Sequence, residues 1–158
     1  MTMQYNVKSQ YVNASGVALP FRTRIKSIVS QCPASATGTI VIVDNTSISG
    51  TYARSTTTAT VTATNHGLAV GDWVYLDWDL TDGAYQVVTA ADANTFTVTV
   101  ADSGGASGNV TVYNDVLYMQ TATLANTTNI LLPGEGILAA TGVRVFLPST
   151  ILLTIIYG

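Results

Sequence analysis

Residues 58–100 decide the fold class of this chain, and they read TATVTATNHGLAVGDWVYLDWDLTDGAYQVVTAADANTFTVTV. Apolar and polar residues alternate here in short runs, which are separated by Asn65-His66-Gly67, Asp82-Gly83 and Asp92-Ala93-Asn94. Alternation with a period of two predicts half-buried β-strands, and Asp, Asn and Gly favour the tight turns between them. The stretch therefore predicts a series of short strands joined by turns.

The rest of the 158 residues repeats this pattern, and no long amphipathic helix is predicted. The predicted strands are Phe21–Val29, Gly38–Val43, Ala59–Ala63, Trp73–Asp77, Tyr85–Thr89, Thr95–Val100, Asn109–Tyr113, Val116–Thr121, Asn129–Leu132, Arg144–Phe146 and Thr150–Tyr157. Many short strands without helices form sandwiches or barrels. We therefore predict an all-β fold.

The chain's one histidine, His66, is close in sequence to Asp72, Asp77, Asp79 and Asp82. This cluster has three interpretations: a metal site, a general base, or a plain set of turns. Each acid falls at or beside a bend, where Asp caps its own backbone. The run DWDLTDG differs from an EF-hand calcium loop, because its third acid and its glycine come one place late and it lies between strands. We favour turns, with an incidental calcium site as the alternative, and expect no catalytic, cofactor-binding or metal-binding residue.

Charge divides the chain into a basic outer part and an acidic middle. Six aspartates give residues 55–112 a formal charge of −6, while the other residues sum to +3. The segments before and after this middle read as the two arms of one hairpin, and exposed hairpin tips tolerate insertions. We therefore predict a jelly-roll-like β-sandwich host domain, residues 1–54 plus 113–158. A small β-barrel or β-sandwich module, residues 55–112, is inserted at a hairpin tip.

The composition favours an assembly protein over an enzyme. Only 9% of residues are charged, against about 25% in ordinary soluble domains, so few side chains are left from which to build a reactive site. The single cysteine, Cys32, excludes an intrachain disulfide and is predicted to be buried. With no broad basic stripe for phosphates and no apolar run of membrane-spanning length, we expect neither nucleic acid nor a membrane as partner.

Two surface patches are candidate binding sites. Arg22, Arg24 and Lys26 alternate along one predicted strand and form a candidate docking patch for an acidic surface, the alternative being a solvated sheet face. Trp73, Tyr75 and Tyr85 form a candidate exposed aromatic patch for host glycan or a partner, the alternative being a miniature core. The C-terminal LLTIIYG is apolar on both faces, which is typical of a central or intersubunit strand, and predicts a homo-oligomer.

Several motifs carry a resemblance to virion proteins. The pattern HGLAVGDWVYL followed by DGAYQVVTAADANTFTV resembles a small β-module that recurs in structural proteins of tailed bacteriophages. The flanking segments FRTRIKSIVS, GTIVIVDN and LLPGEGILAATGVRVFL, and the terminal IIYG, are similar to small virion β-sandwich proteins of phages, especially those of marine bacteria and cyanobacteria. The usual small members lack a middle module, so the insert is where this chain departs from the pattern.

The resemblance implies a place in the virion rather than a reaction. We expect a capsid decoration or cement protein on the particle surface, with the major capsid protein and copies of itself, in a homotrimer, as partners. The alternative is a tail- or fibre-associated adhesion module that contacts host-surface glycan. An enzyme is the interpretation that the residues favour least.

Overall fold

The computed structural model describes residues 7–33, 36–122 and 125–158, and every regular element in these ranges is a β-strand. The predicted all-β fold class is confirmed. In chain order the strands are β1 (Lys8–Val12), β2 (Gly16–Leu19), β3 (Thr23–Gln31), β4 (Gly38–Asp44), β5 (Ile48–Ser55), β6 (Thr58–Thr62), β7 (Trp73–Trp78), β8 (Gly83–Ala90), β9 (Thr95–Thr99), β10 (Ala106–Tyr113), β11 (Val116–Ala122), β12 (Thr127–Leu131), β13 (Ile137–Ala139), β14 (Val143–Phe146) and β15 (Leu152–Tyr157). None of the described segments forms a helix long and apolar enough to cross a bilayer.

All eleven predicted strands coincide with observed ones, and four observed strands were not predicted. These four are β1, β2, β5 and β13. Strands β2 and β13 have only four and three residues, and β1 and β5 are mostly polar, with a glycine inside β5. Their pairing with stronger neighbours, rather than their own propensity, makes them strands.

The chain divides into two compact units. The first, called the two-sheet unit here, comprises residues 1–45 and 117–158, and the second, called the barrel unit, comprises residues 46–116. The predicted insert, residues 55–112, is shorter than the barrel unit. The difference arises because β5 pairs with both β6 and β10 and therefore belongs to the barrel.

Two open sheets build the two-sheet unit. One has the order β1-β15-β3-β12, with β13 also pairing with β3, and the other has the order β11-β4-β14-β2. Strands from both sheets contribute to one apolar core, which includes Ile28 of β3, Ile42 of β4, Val145 of β14 and Ile155 of β15. Strands β4 and β11, which precede and follow the barrel unit along the chain, are neighbours in the second sheet.

A buried carboxylate fixes one turn of the two-sheet unit. Asp44 is 3% exposed at the end of β4. Its oxygens accept hydrogen bonds from the backbone N–H groups of Ala140 and Thr141 and from the Thr141 hydroxyl. Because a buried charge is tolerated only with hydrogen-bond partners, these donors explain how an acid can occupy an apolar unit.

The barrel unit is a closed barrel of six strands in the order β10-β5-β6-β9-β8-β7, and each strand pairs with its two neighbours. Its interior is filled by alternate residues of the strands, such as Val61, Leu76, Phe96 and Val112, none of which has measurable exposure. A barrel of this size encloses a packed core of side chains.

Candidate functional site

His66 is a buried structural residue of the barrel unit. It is 1% exposed, and its ring lies edge-on to Phe96 at a centroid distance of 5.0 Å. The backbone N–H of Leu68 donates to Nδ1 at 3.0 Å, so Nδ1 carries no proton. The proton therefore lies on Nε2, which donates to the carbonyl of Asp92 at 3.1 Å. Both ring nitrogens are committed to the backbone, which leaves neither for a substrate.

Two of the four acids near His66 in sequence, Asp72 and Asp82, cap turns, whereas Asp77 lies within β7. Asp72 Oδ2 accepts the N–H of Ala69 at 2.8 Å, and Asp82 Oδ1 accepts the N–H of Trp78 at 2.9 Å. Asp92 Oδ1 likewise accepts the N–H of Asn94 at 2.7 Å. Among residues 7–33, 36–122 and 125–158, no three His, Cys, Asp or Glu side chains gather closely enough to hold a metal ion.

The predicted aromatic patch of Trp73, Tyr75 and Tyr85 is not one exposed surface. Trp73 is 42% exposed, but Tyr75 is only 9% exposed. Tyr85 pairs with core-facing Val74 in the barrel register, so its ring packs against the barrel core. Tyr85 is partly exposed and lies on the opposite face of the sheet from Trp73, because β7 and β8 pair residue 74, rather than residue 73 or 75, with residue 85.

Tyr85 belongs instead to an internal group of aromatic rings. Trp78 makes edge contacts with Tyr52 at 5.1 Å and with Tyr85 at 5.3 Å. The Trp78 Nε1–H donates to the carbonyl of Thr81 at 2.9 Å, and the Tyr85 hydroxyl donates to the same carbonyl. Burial raises the pKa of the Tyr85 phenol. These contacts fasten the 79–82 turn to the barrel core.

Tyr75 lies beside Tyr113 on the adjacent strand, with a ring-centroid distance of 6.3 Å. Burial raises the pKa of the Tyr75 phenol, and the negative charges of Asp82 and Asp77 raise it further. The phenol is therefore neutral across the physiological pH range.

Shallow grooves lie on the barrel unit. One, of about 440 Å³, is lined by residues that include Ser49, Asp77, Asp79, Asn109 and Thr111. Another, of about 370 Å³, is called the Trp73 groove here, and its lining residues are Gly71, Asp72, Trp73, Asn114, Asp115 and Val116. Sequence reasoning found Trp73 but missed Asn114 and Asp115, which the pairing of β10 with β7 brings to the same end of the barrel.

The three basic residues of the predicted docking patch, Arg22, Arg24 and Lys26, differ from one another in exposure and in contacts. Arg22 is exposed just before β3, and Arg24 is half-buried. The register of β3 against β15 shifts around Lys26, so strict alternation is broken there. The Lys26 ammonium donates to the backbone carbonyl of Glu135 at 2.9 Å and lies 3.8 Å from its carboxylate. Arg22 and Arg24 are therefore the members that remain for an outside partner.

The two units carry opposite net charge. In the two-sheet unit, five basic residues against Asp44 and Glu135 give +3, and in the barrel unit, seven aspartates against Arg54 give −6. All seven aspartates are exposed. Arg54, whose side chain is 10% exposed, lies 3.7 Å from Asp102. The barrel therefore presents a uniformly acidic surface.

Cys32 is buried as a free thiol. It is 4% exposed, and its Sγ lies 3.0 Å from the carbonyl of Ala36. This position is that of a small core residue.

Comparisons of the chain with protein-family models, with curated proteins and with solved structures found no match. A functional proposal therefore rests on the sequence motifs and on the arrangement of the residues themselves.

Proposed function

We propose that this chain is a structural protein of a tailed-bacteriophage virion, and that it decorates or cements the capsid head. The two-sheet unit is the part that binds the shell, as a jelly-roll-like sandwich. The barrel unit is an insert at the tip of the β4–β11 hairpin and is not the part that binds the shell. The virion assignment follows the resemblance of the sequence motifs, and the roles of the units follow from their chemistry.

The observation that carries this proposal is the opposite net charge of the two units. A unit of charge +3 is attracted to an acidic shell, while a unit of charge −6 with every aspartate exposed is repelled from it. One orientation is thereby favoured, with the two-sheet unit inward. Association alone then stabilises the particle, because a protein that binds the assembled shell shifts the equilibrium towards assembly by mass action.

Self-association of the two-sheet unit completes the proposal. Leu152, Thr154 and Ile156 of the central strand β15 alternate with core residues and are only half-buried on the outer face of their sheet. On the edge strands of the same sheet, Tyr11 is 56% exposed and Leu131 is 79% exposed. Exposed apolar area of this kind is available for contact with another copy of the chain, and we propose a homotrimer because the resemblance to phage surface proteins implies that number. Light scattering is then expected to give three times 16.5 kDa, and a monomer at micromolar concentration would contradict the trimer.

Sedimentation with shells tests the head assignment. The protein is expected to co-sediment with capsid shells stripped of it, and raising the salt concentration should weaken this binding. The double variant Arg22→Gln/Arg24→Gln should lower the affinity about tenfold, which corresponds to about 1.4 kcal/mol. A matched control, Thr51→Glu/Ser107→Glu, makes the same change in net charge on exposed positions of the barrel and should bind like wild type.

Two results would reject the head assignment. One is recovery of the protein with purified tails and not with heads, which would favour the tail or fibre adhesion alternative. The other is an equal loss of binding in the arginine variant and its control, because net charge rather than a docking surface would then govern the association.

A further inference from the structure

Trp73 is the exposed member of a pair of tryptophans with contrasting environments. Trp78 is 7% exposed in the barrel core, whereas Trp73 is 42% exposed. In the barrel unit, the large apolar side chains that are exposed among the described residues are Val70, Trp73 and Val88. Of these, Trp73 lines a groove. An indole in solvent at the wall of a groove offers a flat apolar face on which a ligand can stack.

The backbone around Trp73 is firmly held. The turn that precedes it is closed by the hydrogen bond from Ala69 N–H to Asp72 Oδ2, at 2.8 Å. The N–H of Gly71 donates to the carbonyl of Val87, and the N–H of Val87 donates to the carbonyl of Asp72, both at 2.9 Å. Because the indole is attached to a paired strand and a closed turn, binding would require little ordering of the groove.

The opposite wall of the groove is also fixed. The Asn114 side-chain amide donates to the carbonyl of His66 at 2.8 Å, which ties this wall to the buried histidine. Asn114, Asp72 and Asp115 supply amide and carboxylate oxygens to the lining, and the lining contains no lysine or arginine. The groove therefore combines one aromatic face with several hydrogen-bond acceptors.

A pyranose ring matches this combination of groups. One face of the ring presents C–H groups that can stack on an indole, and its edge presents hydroxyls that donate to carboxylate and amide oxygens. The volume of about 370 Å³ lies within the usual range for small-molecule sites, roughly 300–1,000 Å³. The exposed aspartates of the barrel repel uronic acids, sialic acids and phosphorylated ligands.

We propose that the Trp73 groove binds a neutral pyranose unit of a polysaccharide. Trp73 is the stacking platform, and Asp72 and Asn114 accept hydrogen bonds from the sugar hydroxyls. This activity goes beyond shell binding, and it assigns the barrel a ligand of its own. It does not include Tyr75 or Tyr85, because the first is buried and the second packs against the core.

Titration of the full-length protein tests this site. Maltohexaose, cellohexaose and mannohexaose serve as neutral probes, and hexagalacturonate serves as the acidic probe. At least one neutral probe is expected to shift the tryptophan emission, with an affinity in the micromolar to millimolar range by calorimetry. Trp73→Ala should lower that affinity at least tenfold, while Trp78 still reports that the barrel is folded. Val88→Ala, which removes a comparably exposed apolar side chain outside the groove lining, should bind like wild type.

Three outcomes would overturn the sugar site. They are the absence of binding by every neutral probe, equal binding of hexagalacturonate, and an equal loss of binding in Trp73→Ala and Val88→Ala. Its failure is distinct from failure of the shell-binding proposal. Trp73→Ala should still sediment with shells, and Arg22→Gln/Arg24→Gln should still bind the neutral probe.

Discussion

The two units differ in how their sheets end. The six strands of the barrel close on themselves, so each has a partner on both sides. The open sheets of the two-sheet unit end, among the described strands, on β1 and β12 and on β11 and β2. A sheet edge presents backbone N–H and C=O groups that a second chain can pair with, whereas a closed barrel presents only side chains. This difference is the reason why we propose assembly contacts for the two-sheet unit and side-chain recognition for the barrel.

Each unit also buries a polar side chain that forms hydrogen bonds with a turn. The two-sheet unit buries Asp44, which receives several donors from one turn, and the barrel buries His66, which joins two loops through both ring nitrogens. The carboxylate oxygens of Asp44 accept from the backbone and hydroxyl of one turn, and both ring nitrogens of His66 bond to the backbone. In both units, burial of a polar group serves to position a turn.

The greatest loss of folding stability is expected for a substitution in the loop that follows edge strand β12. Gly136 has a φ of +74°, and a Cβ built there would lie 2.1 Å from the carbonyl oxygen of Ile25. Gly136→Ala should therefore lower the free energy of unfolding by about 3–5 kcal/mol, through backbone strain and a steric clash. Gly134, with φ of +63° and nothing within 4 Å of a built Cβ, is the matched control. Gly134→Ala should lower it by only about 1–2 kcal/mol.

Urea unfolding followed by far-ultraviolet circular dichroism measures both glycine variants. Equal losses at the two positions would show that the loop does not approach β3 as closely as described.

Replacement of the two buried polar side chains, Asp44 and His66, should lower the stability by different amounts. Replacing Asp44 by Leu leaves the N–H groups of Ala140 and Thr141 without their acceptor, and should lower the free energy of unfolding by about 3–4 kcal/mol. Replacing His66 by Leu leaves one N–H and one carbonyl without a partner, and should lower it by about 2–3 kcal/mol. Asp77→Asn, at an exposed position, should change it by less than about 0.5 kcal/mol.

Tryptophan emission distinguishes these variants by region, because both tryptophans lie in the barrel unit. His66→Leu should therefore lower the urea midpoint of unfolding that is followed by tryptophan emission. If His66→Leu proved neutral while a ligand-binding or catalytic activity disappeared, His66 would be a functional residue and the comparison between the two buried groups would fail.

Much of this organisation follows from the sequence, and the failures have identifiable causes. The alternation of apolar and polar residues in 95–100 identifies a strand, and the turn residues around Asp82-Gly83 identify where one strand ends and the next begins. Both are local properties of the sequence. The face on which Tyr85 lies, the register shift beside Lys26 and the addition of β5 to the barrel all depend on strand register. Register is set by non-local pairing, and shifting it by one residue exchanges the two faces of a strand. The division of net charge between the middle and the outer parts of the chain can be predicted from the sequence, because net charge depends only on which residues are present.

The smallest effect is a pH dependence located in the barrel. Because burial disfavours the phenolate, the pKa of Tyr75 lies above its ordinary value of 10.0. The folded state then keeps the proton at pH values where the unfolded chain has lost it, so stability is retained below about pH 10 and falls as the pH rises further. Tyr75→Phe should make this alkaline decline shallower. Urea midpoints between pH 8 and pH 11 measure it, and an unchanged slope in Tyr75→Phe would show that this phenol is not the group responsible.

Hydrogen exchange of the shell-bound protein measures which of the two units contacts the shell. Backbone amides of the two-sheet unit, above all those of edge strands β1 and β12, should become protected when the protein binds capsid shells. Amides of barrel strands such as β6 and β9 should exchange as they do in the free protein. Protection confined to the barrel, with the two-sheet unit unchanged, would contradict the assignment of assembly to the open sheets.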